Sequence, residues 1–210
     1  MIELPEVHPV GCHCYESVQK ILCGVLRSVM GLLRLGETTT NQLCHKFMKY
    51  LLDLLTQFRS GLAREEALMA ASNVASLLSW ELKQHLETLV PYLTSAITTF
   101  PKNDPGLPLA VDLTGTIFRV LDCEATPCIN KLLGPLLALT ERNRQLPMDV
   151  IIRCAAVFGQ MATAVGRPGF QMYMAAVLRR LQYCVDLSME VIFYLFFIDL
   201  LINFLELGSG

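Results

Sequence analysis

One helix–corner–helix pattern comes round three times in this chain, and it leaves few ways to fold. Its clearest copy is REEALMAASNVASLLSWELKQHLETLVPYL, Arg64 to Leu93. Ala67, Leu68, Ala71, Val74, Ala75 and Leu78 follow steps of three and four, as do Leu82, Leu86, Leu89, Val90, Leu93 and Ile97. Each set is the single apolar stripe of an amphipathic helix. LSWELK supplies the corner between them. The corner after Leu78 is matched by LDCEATP after Leu121 and by VGRPG after Val165, at spacings of 43 and 44 residues. Pro91, inside one second helix, is matched by Pro135, 44 residues on.

A period of about 40–47 residues with two helices per unit is that of HEAT or armadillo repeats, and two helices rather than three favour HEAT. First helices are expected at about 14–34, 64–79, 105–122 and 147–165. Second helices are expected at about 41–58, 82–99, 126–140 and 168–185, with a further helix at 187–207. The connections LGETTTN, RSGL, FPKNDPG and RNRQLP hold the helix breakers. Pro105 and Pro147 fall at helix starts, where a missing N–H does no harm. No strand pattern competes. The expected fold is all-α: a right-handed α-solenoid held by contacts between neighbouring repeats. Residues 1–210 read as one array, with units at about 14–58, 64–99, 105–140 and 147–185 and a partial one at 187–207. Both ends lack the polar outer face of a capping repeat, so the array is expected to be a piece of a longer solenoid.

Composition supports a continuous core, with 53% apolar and 17% charged residues. The net charge of −2, without any run of Lys and Arg, argues against nucleic acid as a partner. Eight cysteines with no secretory leader before them indicate a reducing compartment, cytosol or nucleus. Met189–Leu207 is apolar enough to resemble a membrane span, but Asp199, Asn203 and Glu206 interrupt it, and each acid would be costly at the bilayer centre. A buried helix of the array is the better reading, and no membrane partner is expected.

No chemistry-bearing constellation stands out. His8, Cys12, His13, Cys14, Cys23, Cys44 and His45 are the right residue types for zinc, but their spacing is wrong and no matching second pair follows. Cys123 and Cys128 flank a corner with no basic neighbour to activate a thiol, which points to packing. His85 lies on the polar side of its helix without a catalytic partner in sequence reach. There is no phosphate-binding Gly-rich loop and no nucleophile elbow. The chain is therefore expected to bind proteins rather than to be an enzyme, with no cofactor and no metal. Trp80, the single tryptophan, stands at a corner. A clasp between repeats is the preferred role, with an exposed anchor as the alternative.

REEALMAASNVASLL followed by LKQHLETLVPYLTSAI resembles the late-middle HEAT repeats of the importin-β, or karyopherin-β, nuclear transport receptors. The family's pattern E-x-A-L-M-A-x-S falls on EEALMAAS, ending at Ser72, and its second-helix pattern on Leu82 to Leu93; the tyrosine position there is held by His85 or Leu86. LAVDLTGTIFRVLD with CINKLLGPLLALT, and IIRCAAVFGQMATAVG with FQMYMAAVLRRL, resemble the following repeats. Val157, Phe158, Gly159, Ala162, Ala164, Val165 and Gly166 keep the family frame, with Gln160 where the family has an acid. The resemblance covers about residues 40–185; after Cys184 the chain departs from the family's more polar linker.

The resemblance implies an import receptor moving between cytoplasm and nucleus through the nuclear pore at the envelope. Its partners would be an importin-α-type adaptor or cargo, Phe-Gly nucleoporins and the Ran GTPase, with the main Ran contacts in repeats before this region. A Phe-Gly site between neighbouring first helices would draw on Leu77, Phe118, Leu121 and Met161. A buried Phe side chain is worth about 1.5–3 kcal/mol in such a groove. Glu81, Glu87, Asp122 and Glu124 would meet a basic adaptor or cargo segment. A HEAT scaffold of another complex, or less readily a membrane-tethered helical protein, are the alternatives.

Overall fold

The computed structural model describes Gly24 and residues 37–57, 62–141 and 146–188. The described residues form helices and short connections, with no strand among them. The chain divides into two compact units, Met1–Leu89 and Val90–Gly210.

In the first unit, α1 (Glu37–Gln57) and α2 (Leu62–Leu78) lie side by side. Cys44, Phe47, Met48, Leu51, Leu54 and Leu55 form the buried stripe of α1. The buried face of α2 is built largely from small residues, Ala63, Ala67, Ala70, Ala71 and Ala75, with Leu68, Val74 and Leu78. Side chains this short let two helices approach closely while ridges still interdigitate. A 3-10 turn, Ser79–His85, follows, and then α3 (Leu86–Thr99), in which the boundary between the units falls. The periodicity places the second helix from residue 82; the α-helix begins four residues later. The tighter winding before it sinks Leu82 into the core while Glu81 and His85 reach back to α1.

In the second unit, α4 (Gly106–Leu121) starts where the Asp104 carboxylate accepts the Gly106 N–H at 2.8 Å. A 3-10 turn, Asp122–Ala125, leads to α5 (Thr126–Leu139), with Pro127 in the first turn. The last described helix, α6 (Met148–Ser188), is two helices, 148–165 and 167–188, joined at Gly166. Part of it, Met148–Gln182, is apolar enough to cross a membrane by length and composition. It bends at Gly166, however, and Val150, Cys154, Val157, Phe158 and Met161 are buried where α6 packs on α4.

The three described first helices stop the same way. Leu78, Leu121 and Val165 are followed by Ser79, Asp122 and Gly166, whose φ values are 51°, 50° and 66°. A residue with positive φ just past the last turn breaks the helix and redirects the chain. Two of these three corners impose that conformation on residues with a Cβ, which is unfavourable. The 43- and 44-residue spacing legible in the sequence is thus the spacing of a backbone event.

The expected helices at 64–79, 82–99, 105–122, 126–140, 147–165 and 168–185 all match described elements to within a few residues, and α1 begins ahead of the expected 41. Those at 14–34 (beyond Gly24, which is helical) and 187–207, with the Met189–Leu207 apolar run, lie outside the described residues.

Candidate protein-binding surface

Successive second helices are joined by polar rungs. In the first unit, Asn41 Nδ2 donates to Glu81 Oε1 at 2.7 Å, and His45 Nε2 lies 2.6 Å from Glu81 Oε2. His45 Nδ1 is 2.9 Å from His85 Nε2. In the second unit, Thr94 Oγ1 donates to the Lys131 carbonyl at 3.3 Å, Tyr173 donates to Asn130, and Arg180 meets Glu141 at 3.5 Å. The partners stand 36 to 43 residues apart, one repeat, so the rungs hold neighbouring repeats in register.

First helices join differently. Asp112 of α4 pairs with Arg153 of α6. Burial outweighs the arginine there and holds the Asp112 carboxyl above its usual range. Three residues on, Gly115 lets α6 approach: a Cβ at that position would collide with Gln160 Oε1 and sit 3.0 Å from Val157 Cγ2. Gln160, the position where the resemblance expects an acid, therefore lies flat against α4.

The Phe-Gly candidates separate into two kinds. Leu77 is exposed near the end of α2. Phe118, Leu121 and Met161 are buried in the second unit, at 0%, 4% and 0% exposure. A Phe ring could reach them only if neighbouring helices parted. The acidic candidates separate likewise. Glu87, Asp122 and Glu124 are exposed. Both oxygens of Glu81 are engaged by Asn41 and His45, so that carboxylate is committed inside its own unit.

Trp80 corrects an expectation. It is 59% exposed, with the Lys83 ammonium 5.1 Å from its ring centre, so in this structure it is no clasp. A cation over the ring face stabilises it in solvent. His85 also differs from its reading: it is half-buried and partnered by a ring 40 residues earlier. The signal was available, because His45 and His85 share a phase in successive second helices. It was invisible to a search for catalytic neighbours nearby in sequence.

Cys44 and Cys128 are buried as packing requires, whereas Cys123, also expected to pack, is exposed at the corner. Burial, followed by the charge of Glu81, pushes Cys44 up to about 11. Burial also raises Cys128, against the pull of Lys131. Cys44, Cys123 and Cys128 are free thiols, and among the described residues no group of three or more His, Cys, Asp or Glu side chains is placed to hold a metal ion. His8, Cys12, His13, Cys14 and Cys23 lie outside the described residues.

The family described as importin subunit beta-1-like, TPR repeats, matches residues 12–203. The chain belongs to this family. The match runs to residue 203, through most of the apolar stretch after Cys184 that the resemblance left outside its bounds of about 40–185. Importin-β-like membership and an all-α helical-repeat fold make this chain a HEAT-repeat protein with a protein-binding role. The family's description names TPR repeats, but the spacing of 43 and 44 residues between corners is that of HEAT pairs rather than the roughly 34 of a TPR.

Proposed function

We propose that this chain is a segment of a nuclear import receptor that binds cargo or an importin-α-type adaptor on its second helices and Phe-Gly nucleoporins between its first helices. The family match over residues 12–203 carries this reading. Exposed carboxylates at Glu87, Asp122 and Glu124 supply the charge that a basic adaptor or cargo segment would meet, and exposed Leu77 offers an apolar contact for a Phe ring. Phe118, Leu121 and Met161, buried within the second unit, would take a Phe ring of their own only as their neighbours shift. Ran would act mainly outside this segment, and the receptor would shuttle between cytoplasm and nucleus.

Charge at a rim acts mostly on the association rate. Changing Glu87, Asp122 and Glu124 together to lysine is expected to slow association with a Lys/Arg-rich peptide at least tenfold at low salt. The difference should shrink as salt screens it. Surface plasmon resonance against one immobilised basic peptide measures this. An unchanged association rate would remove these carboxylates from the site.

A further inference from the structure

The four-membered chain Asn41–Glu81–His45–His85 is an unusual way to pin a corner. Two of its members are imidazoles in direct contact, and the donor count restricts what they can hold. A Glu81 carboxylate oxygen accepts at 2.6 Å, so His45 Nε2 carries a hydrogen. The 2.9 Å contact between His45 Nδ1 and His85 Nε2 needs one hydrogen and one lone pair. With both rings neutral, His85 Nε2–H donates to bare His45 Nδ1. With His45 an imidazolium beside Glu81, its Nδ1–H donates to bare His85 Nε2. With both rings protonated, two N–H groups face each other and the bond is gone.

We propose that this chain is an acid-sensitive lock, holding the 3-10 corner Ser79–His85 onto α1 while the histidine pair carries at most one extra proton and releasing it when a second arrives. The groups around the pair agree. From α1 the chain is faced by Asn41, the buried Cys44 thiol and His45; from the corner it is faced by Glu81. Glu81 is the counter-charge for the first proton, and it is already shared with Asn41. The second proton would have to sit on half-buried His85, where burial first, and then the charge of His45, hold the imidazole below its ordinary value of 6.5. A histidine depressed on folding contributes stability that is present above 6.5 and is lost as the pH falls below it. Release therefore belongs to mild acid, not to alkali.

The single tryptophan, Trp80, lies in the same corner, five residues from His85, and reports on it. Hydrogen exchange of the corner amides, corrected for intrinsic rates, and Trp80 fluorescence are followed on the whole chain between pH 7.5 and 5. The expected result is a transition below pH 6.5 in which corner exchange rises at least tenfold while helical circular dichroism stays constant. His85→Gln, which still reaches His45 with an amide but does not titrate, is expected to abolish it. A second variant, Glu81→Gln, removes the counter-charge and is expected to move the transition to lower pH, because even the first proton is then less favoured. A corner whose exchange is flat across this range, or a transition unchanged in His85→Gln, overturns the proposal.

Discussion

Replacing Phe118 with alanine is expected to cost about 3–5 kcal/mol of folding stability, because the ring is fully buried and its removal leaves a cavity that its neighbours fill only in part. Urea unfolding followed by circular dichroism measures it as a fall in midpoint. The same substitution discriminates between two roles for one residue. A ring lining an open ligand groove would lose little stability on truncation and would lose ligand affinity instead. A stability change under about 1 kcal/mol would place Phe118 at a surface, contrary to its burial in α4.

Gly166→Val is expected to destabilise the second unit toward the upper end of about 1–3 kcal/mol. Its φ of 66° and ψ of 174° lie in a region that is essentially reserved for glycine. The nearest atom to a Cβ there is Pro168 Cδ at 3.9 Å, so the penalty is backbone strain rather than collision. Gly134→Ala provides the opposite case: it sits inside α5 with open space around a Cβ, and is expected to gain about 0.5–1 kcal/mol. Asp122→Gly should also stabilise, since Asp122 adopts φ 50° and ψ −132° at the equivalent corner. Thermal melts of the three variants check the signs. A valine at 166 without effect would mean that the corner is not held in that conformation.

Much of the architecture was legible because a helix pair in a repeat array must hide one stripe per helix, and such stripes have a period that can be counted. Leu78, Leu121 and Val165 mark the helix ends in sequence, and the structure turns at the very next residue each time. Helix starts were less legible. Nothing in SWELKQH separates a 3-10 turn from an α-helix, because the choice depends on Glu81 and His85 finding partners in α1.

The candidate site was legible only in part, for a related reason. Leu77 and Phe118 both read as apolar positions on first helices, but exposure is decided by what packs alongside. Phe118 is enclosed in the second unit, while Leu77 falls just outside the stripe of Val74, Ala75 and Leu78. Glu81 reads as a corner acid like Glu124, yet it faces an asparagine and a histidine from the preceding second helix. Cross-repeat partners of this kind lie a full period away, beyond the reach of local patterns.

The measurement that bears most directly on the transport reading is the affinity of the chain for a short Phe-Gly peptide and for the same peptide with serine in place of phenylalanine, by fluorescence anisotropy. Weak binding of the Phe peptide, at least tenfold loss with serine, and a similar loss in the Leu77→Asp variant are expected if a buried Phe ring contributes about 1.5–3 kcal/mol. Equal binding of the two peptides, or none by either, would contradict a Phe-Gly site in this segment and leave a HEAT scaffold of a different complex as the better description.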